Sequence, residues 1–180
     1  MPPTLCALHY AIILLLGLSS AEAQVFKTQE AALQEAFAGA DTVIRQTVFL
    51  DDAEVAALQE KSRSEFTSRV ISYYSGFKDG KLLGCAFFED QVVRTKKTIV
   101  MVVVNPDATV NYMEALAFYE PQDYLPILRW FDLFKEKNLS PELWPGRQIH
   151  AVTGATLSVR TFTLCVRRAL ALYEFIKEVR

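Results

Sequence analysis

The sequence predicts an α+β protein with a mainly antiparallel, twisted sheet, flanking helices and a long C-terminal helix. Strand-like runs follow one another from residue 69 to residue 120, separated by short turns. Helical periodicity appears in the segments before and after this block. An Asp-Gly pair at residues 79–80 lies between two of the runs, and this pair is typical of a two-residue β-hairpin turn.

The first 23 residues have features of a secretory signal peptide. An apolar block covers residues 11–18, and Ala21-Glu22-Ala23 follows it with the small-residue pattern of a cleavage site. The block is shorter than the roughly 20 residues that a membrane-spanning helix needs. The head lacks the Lys and Arg that usually precede such a block. We expect cleavage after Ala23, with an uncleaved short anchor as the alternative.

Residues 24–66, which we call the leader, are predicted to form a helix, a strand and a second helix. Thr28 is a suitable cap for a helix that runs to Ala38 and stops at Gly39. The alternation over residues 42–50 predicts a strand. Asp51 is followed three residues later by Glu54, the spacing of a capping box, so a second helix should begin there.

The remainder, residues 67–180, is predicted to hold the sheet and two more helices. Strands are expected over residues 69–77, 81–90, 92–105 and 109–120, with a turn at Asn105-Pro106-Asp107. Apolar residues recur at helical spacing over 124–137, which predicts an amphipathic helix with Pro126 in its first turn. A last helix is expected over Thr156–Val179. Its predicted buried face comprises Phe162, Val166, Ala169, Tyr173 and Ile176.

The composition excludes several classes of function. The formal net charge is −2 and the basic residues are scattered, so the chain lacks the basic patch of a nucleic-acid-binding protein. Cys85 and Cys165 are the only cysteines after residue 23, and neither fits a haem, zinc or iron–sulfur spacing. We expect both to be buried, with a disulfide between them as the alternative. His150 is the only histidine after residue 23, which excludes a multi-histidine metal site.

A Thr-Gly-Ala-Thr turn at residues 153–156 opens the last helix. A helix start presents unpaired N–H groups and the positive end of the helix dipole, so it attracts anions. Gly154 lets the backbone approach a ligand closely. Thr153 is predicted to cap the helix, which leaves the hydroxyl of Thr156 where a phosphate could esterify it. An ordinary capped helix start would explain the same four residues.

The segment "AVTGATLSVR", followed by a C-terminal helix, resembles the FMN-binding domain family, in which a [ST]-G-A-T motif carries FMN covalently. The family includes the small flavin subunits of the Rnf and sodium-pumping NADH:quinone oxidoreductase complexes and stand-alone secreted proteins. The segment "KKTIVMVVVNPDATVNYMEALAFYEPQDYLPILRWFDLFKEKN" is similar to the family's strand-turn-strand, Glu-Pro loop and Trp-containing helix. The resemblance covers roughly Arg69 to Tyr173.

This resemblance implies an FMN-binding domain over residues 67–180, with FMN joined to Thr156 by a phosphodiester that a flavin transferase makes after export. The cofactor-binding residues that it implies are Thr153, Gly154, Ala155, Thr156, Leu157, Ser158, Glu120 and Tyr124. The implied function is electron transfer in the periplasm or on the outer side of the inner membrane. The implied redox partner is a membrane or secreted protein such as a quinone oxidoreductase or a cytochrome.

The sequence departs from the family at His150, where the family usually has an aspartate that the transferase recognises. This departure supports an alternative, in which the chain is a flavin-free binding or structural module on the same scaffold. A hydrolase that uses Thr156 or Ser158 as nucleophile is disfavoured, because the sequence offers no His-Asp relay beyond His150 itself.

Overall fold

The computed structural model describes residues 24–179, which form an open six-stranded antiparallel sheet with helices on both faces. The strands are β1 (Gln24–Val25), β2 (Thr42–Phe49), β3 (Val70–Lys78), β4 (Lys81–Val92), β5 (Lys97–Val104) and β6 (Val110–Phe118), in the spatial order β1-β6-β5-β4-β3-β2. The helices are α1 (Gln29–Ala36), α2 (Asp52–Ser62), α3 (Leu128–Phe131) and α4 (Thr156–Val179). The predicted α+β class is confirmed. The predicted signal peptide lies outside the described residues.

The sheet separates two apolar cores of unequal size. On one face, α4 packs its predicted apolar side, including Phe162 and Val166, against alternate residues of β5 such as Val102. On the other face, α1 packs on the intervening residues, including Met101. Because β5 is covered on both faces, its sequence is a nearly continuous apolar run. Within residues 24–179, no helix combines the length and the apolar character that crossing a bilayer requires.

The local capping and turn signals are confirmed. The side chain of Thr28 accepts the N–H of Ala31 at the start of α1. Asp51 and Glu54 form the reciprocal capping box of α2, with both hydrogen bonds at 2.8 Å. Asp79 and Gly80 connect β3 to β4 with φ angles of 48° and 73°, as a type I′ turn requires.

The strand predicted over residues 92–105 begins too early. Val92 ends β4, and residues 93–96 form a hairpin turn in which the N–H of Val93 donates to the carbonyl of Lys96 at 3.0 Å. The polar run after Val93 carries no Gly or Pro signal for this turn. A distant carboxylate stabilises it instead, as described below.

The helix predicted over residues 124–137 is also much shorter than expected. Helical geometry is found only in a 3-10 turn at Gln122–Tyr124, in α3 and in a second 3-10 turn at Asp132–Phe134. Leu125 is extended, as expected for a residue that precedes proline. Downstream, the N–H of Glu136 donates to the carbonyl of Val110, and the N–H of Val110 donates to the carbonyl of Lys137. These hydrogen bonds to β6 compete with continued helix and end it.

A buried arginine on α4 holds three segments together. The carbonyls of Lys61 and Ser62 lie at the C-terminal end of α2, and the Arg167 guanidinium donates to them at 3.3 and 2.7 Å. It also donates to the carbonyls of Ser140 and Leu143 at 2.7 and 3.2 Å. Burial lowers the pKa of Arg167. The guanidinium therefore supplies the C-terminal carbonyls of α2 with donors that the helix itself lacks.

The neighbouring Arg168 attaches the end of the leader. Its guanidinium donates to the carbonyl of Glu65 at 2.7 Å and lies 4.5 Å from the ring centre of Phe66. Its Nε atom is 3.0 Å from a carboxylate oxygen of Glu89 on β4. Burial raises the pKa of Glu89 to about 7, although Arg168 opposes that shift. The leader thus contributes strands to the common sheet and is joined to α4 through these buried contacts.

Cys85 and Cys165 are both buried, as the sequence suggested, and no disulfide joins them. The thiol of Cys85 on β4 lies 3.3 Å from the hydroxyl of Ser75 on β3. Burial raises the pKa of the Cys165 thiol well above its ordinary value. Both residues therefore contribute apolar volume to the core.

We predict that Arg167→Leu lowers the free energy of unfolding by about 3 kcal/mol, because buried carbonyls lose their donors. Urea denaturation followed by circular dichroism measures this change. Arg160→Ala is the control, since Arg160 is an exposed arginine on the same helix, and it should change stability by less than about 0.5 kcal/mol. Equal effects from the two variants would contradict the role given to Arg167.

Candidate functional site

The start of α4 follows a tight turn over residues 152–155. The N–H of Ala155 donates to the carbonyl of Val152 at 3.1 Å, and Gly154 has a φ of +83°. This positive φ at the third position of the turn favours glycine. A Cβ atom at Gly154 would meet nothing within 4 Å, so the backbone conformation, and not a lack of space, requires glycine there. The space beside the turn is open.

The first amide groups of α4 have no partners. The first helical hydrogen bond runs from the N–H of Val159 to the carbonyl of Ala155 at 2.9 Å. Across residues 24–179, nothing accepts the N–H groups of residues 156–158. The prediction that Thr153 caps this helix is wrong: its hydroxyl makes no hydrogen bond in the described chain. The turn places Ala155 at the cap position, and alanine has no side-chain acceptor.

A cavity of about 160 Å³ opens at this helix end. Its lining residues are Arg94, Tyr124, Gly154, Ala155, Thr156, Leu157 and Ser158. The structure therefore brings Tyr124 to residues 154–158, as the sequence analysis expected. Thr153 is exposed and Glu120 is buried, and neither lines the cavity. Arg160 is exposed and does not line it either.

Ser158 gives this cavity an unsatisfied polar group. The residue is 1% exposed, and its hydroxyl has no hydrogen-bond partner within residues 24–179. Leaving a buried polar group unsatisfied costs about 1–3 kcal/mol. The same residue lines the cavity, although less than 1 Å² of its hydroxyl oxygen is exposed. An unsatisfied polar group next to the cavity is the strongest single indication of a polar ligand there.

Arg94 is the site residue that the sequence analysis missed. It lies in the β4–β5 turn, and its guanidinium is 5.0 Å from the ring centre of Tyr124. Cation–π contact of this kind holds a guanidinium over an aromatic ring. Arg94, Lys96 and Lys97 fall inside the strand that the sequence predicts over residues 92–105. Recognising the turn would have moved Arg94 to the end of the sheet, beside the helix start.

Glu120 stabilises the turn that carries Arg94. Its Oε1 atom accepts the backbone N–H groups of Arg94, Thr95 and Lys96 at 3.2, 2.7 and 2.9 Å. The Thr95 N–H lowers the pKa of Glu120 most, against the opposing effect of burial. Glu120 therefore acts on the cavity through the position of Arg94. Direct contact between Glu120 and a flavin stays a prediction.

Trp130 fixes the loop that leads into the turn. Its indole N–H donates to the carbonyl of His150 at 2.8 Å. The ring packs edge-on against Phe131 and Phe134, and it also lies near Phe162 of α4. Trp130 and Phe131 are buried and belong to the core. The His150 residue is exposed, and its main chain, not its imidazole, makes this contact.

The cavity has the chemistry of a phosphate site. Its potential donors are the unpaired N–H groups of α4, the Ser158 hydroxyl and the Arg94 guanidinium, and no carboxylate lines it. The exposed hydroxyl of Thr156 lies at the same place and is available for esterification. A cavity of about 160 Å³ has room for a phosphate group. Neither a scan against protein-family models nor a search of curated proteins finds a match to this chain.

We predict that Ser158→Ala leaves the unfolding free energy of the ligand-free protein unchanged or raises it by up to about 1 kcal/mol, because an unsatisfied hydroxyl is removed. Ser62→Ala is the matched control. Ser62 is equally buried, but its hydroxyl bonds to the main chain of Ser64, so its loss should cost about 1 kcal/mol. Similar losses in both variants, measured by urea denaturation, would show that the Ser158 hydroxyl has an internal partner.

We predict that Glu120→Gln lowers the unfolding free energy at pH 7 by about 1 kcal/mol or more, because charge-assisted hydrogen bonds are lost. Because the pKa of Glu120 is lowered by folding, this stabilisation is present above the ordinary value of 4.5 and is lost as the pH falls through the folded pKa. The difference between wild type and variant should therefore shrink as denaturation is repeated at increasingly acidic pH. A pH-independent difference would argue against a charged Glu120 in the turn.

Proposed function

We propose that this chain is an exported flavoprotein that holds FMN at the start of α4 and transfers electrons outside the cytoplasm. The observation that carries the proposal is the unsatisfied donor set at residues 156–158 around a phosphate-sized cavity. The resemblance of the Thr-Gly-Ala-Thr segment to the FMN-binding domain family supports the same ligand. FMN joins a phosphate to a flavin, so it meets the first requirement of this site.

In this proposal, Thr156, Ser158 and Arg94 each contact or neutralise the phosphate in a different way. A phosphodiester on Thr156 keeps one negative charge, and the positive end of α4 stabilises it. The Ser158 hydroxyl donates a hydrogen bond that it cannot make within the protein. Arg94, on the turn that Glu120 stabilises, adds a positive charge.

In this proposal the flavin ring lies on the surface beside the cavity. Exposed apolar side chains are present for it: Leu157 lines the cavity rim, and Ile127 and Leu128 follow Tyr124 closely in the chain. Ile127 is 67% exposed and Leu128 is 84% exposed, so two adjacent apolar side chains are available to contact the ring. Bound FMN supplies the electron acceptor and donor, and the protein sets the environment of the ring.

The proposal implies two kinds of partner. A flavin transferase loads the cofactor after export, and a membrane or secreted redox protein, such as a quinone oxidoreductase or a cytochrome, exchanges electrons with it. The proposed location is the periplasm or the outer side of the inner membrane. A flavin ring that rests on the surface remains accessible to such a partner.

We predict that protein co-expressed with an exported flavin transferase gains the mass of one FMN, and that Thr156→Ala abolishes this gain. Thr153→Ser is the matched control, because it changes a residue of the same turn but keeps a hydroxyl at the first position of the motif, and it should keep most of the added mass. Intact-mass spectrometry under denaturing conditions distinguishes covalent from reversible binding. Ser158→Ala should reduce the loaded fraction, because it removes a phosphate donor.

A second variant tests the departure from the family pattern. His150→Asp restores the residue that the family has at this position, so it should increase the loaded fraction without changing the fold. A native mass spectrum that shows neither covalent nor reversible FMN, in wild type and in His150→Asp, would overturn the proposal. A folded, colourless protein of this kind would instead favour the flavin-free module.

A further inference from the structure

The two edges of the sheet differ in how many of their main-chain groups are hydrogen-bonded to other parts of the chain. At the β6 edge, β1 pairs with the end of the strand, and the N–H groups of Phe26 and Lys27 donate to the carbonyl of Leu116. At the other end of β6, Val110 exchanges hydrogen bonds with residues 136–137. Other segments of the chain thus form hydrogen bonds with β6 near both ends of this strand. At the opposite edge, β2 has no further strand beside it within residues 24–179.

β2 also lacks the features that normally protect an edge strand. It pairs with β3 over all eight residues without a register shift, and its sequence TVIRQTVF has one charge and no Pro or Gly. Edge strands are usually short, charged, bulged or interrupted by proline, because unpaired edges recruit other strands. Val43 and Ile44 are 41% and 43% exposed, and Phe49 is 74% exposed. Such a long, regular and apolar edge favours pairing with another strand.

The hydrogen-bonding pattern of β2 determines which residues point outward. The N–H of Leu50 donates to the carbonyl of Arg69, and this pair continues the β2–β3 register. Residues in an antiparallel pair alternate between hydrogen-bonded and non-hydrogen-bonded positions. The even-numbered residues of β2 therefore bond to β3. The odd-numbered residues, Val43, Arg45, Thr47 and Phe49, direct their main-chain N–H and C=O groups away from the sheet.

We propose that a second copy of this chain pairs antiparallel with the free edge of β2, with the two-fold axis at Gln46, so that two six-stranded sheets form one continuous sheet. In this register, Arg45 of one copy faces Thr47 of the other, and Val43 faces Phe49. These are the odd-numbered residues whose main-chain groups are free. On the other face of the sheet, Ile44 of one copy faces Val48 of the other.

The side chains of β2 favour this register over those with the axis at Arg45 or Thr47. An axis at Arg45 would place two arginines directly opposite each other, which is destabilising. An axis at Thr47 would place Val43 opposite Asp51, which has no apolar surface to pair with it. With the axis at Gln46, no charged pair lies within the strand. Asp41 and Asp51 face each other just beyond it, so we expect the pairing to end there and to tighten with added salt.

Gln46 fits the position on the axis. Its side-chain carbonyl accepts the hydroxyl of Ser75 at 2.9 Å, which orients the amide. The amide N–H₂ group has no acceptor elsewhere in residues 24–179. Across the two-fold axis, each amide can donate to the carbonyl oxygen of the other. The same strand thus offers matching main-chain, apolar and amide groups to a copy of itself.

The proposed interface leaves the start of α4 open. A groove lined by Val48, Ile176 and Val179 places the C-terminal end of α4 beside β2. α4 has 24 residues, so its other end, with Thr156, is about 36 Å away. Dimer formation and phosphate binding therefore occur at separate places, and the dimer does not depend on the proposed flavin.

The test uses the purified wild-type protein and two point variants. Analytical ultracentrifugation should show a concentration-dependent dimer. Phe49→Lys should weaken the dimer by about tenfold or more, because two cross-strand apolar pairs are lost. Val25→Lys is the matched control, since Val25 is 60% exposed on the opposite edge, and it should dimerise like wild type. A wild-type protein that stays monomeric at high concentration would overturn the proposal.

Cysteine cross-linking tests the register. Residue 46 faces itself at a non-hydrogen-bonded position, where Cα atoms are about 4.5 Å apart, so Gln46→Cys should form a disulfide-linked dimer on mild oxidation. Ile44→Cys should not, because in this register each copy of residue 44 faces residue 48. A dimer in which Gln46→Cys fails to cross-link, or that survives Phe49→Lys unchanged, uses another surface, and either result would reject this interface.

Discussion

The buried guanidinium of Arg167 is the interaction on which the arrangement of this protein most depends. It bonds to main-chain carbonyls at the end of α2 and in the loop at residues 140–143, two segments far apart in the sequence. That loop leads to the turn from which α4 begins. The contacts of Arg167 therefore fix the leader to the sheet and, through the loop, the approach to the candidate site. A buried cation costs free energy unless its donors are well paired, and here every bond found is to a main-chain oxygen.

The two long helices of this face end in contrasting ways. The last carbonyls of α2 receive donors from Arg167, whereas the first amides of α4 have no acceptor in the described chain. Unpaired groups at a helix end need a side chain, water or a ligand. The Ser158 hydroxyl is unsatisfied at the same place, and Arg94 brings positive charge to it. The sheet edges show a similar contrast between β6, which the chain closes, and β2, which it leaves open. Both contrasts show where main-chain groups of residues 24–179 lack partners, and the two proposals rest on these places.

The features that the sequence determined are those decided within a few residues. The capping box of Asp51 and Glu54 and the Asp79-Gly80 turn depend on side-chain chemistry and backbone preferences that act locally. The long helix of residues 156–179 follows from apolar residues at helical spacing over many turns. Alternating apolar runs with short turns fixed the antiparallel sheet and hence the α+β class. The motif around Thr156 also identified most of the residues that line the cavity.

Only the tertiary structure decided features whose partners lie far apart in the chain. The turn that carries Arg94 is stabilised by Glu120, and the predicted helix after Tyr124 is cut short by hydrogen bonds to β6. Local periodicity cannot reveal either competitor, because each comes from a different strand. The same holds for the burial of Arg167, whose carbonyl partners lie between 24 and 106 residues away in the chain. The sequence by itself specified the fold class and the residue at which the last helix starts. Packing between distant segments decided which side chains surround it, because their stabilising energy arises only after the sheet has formed.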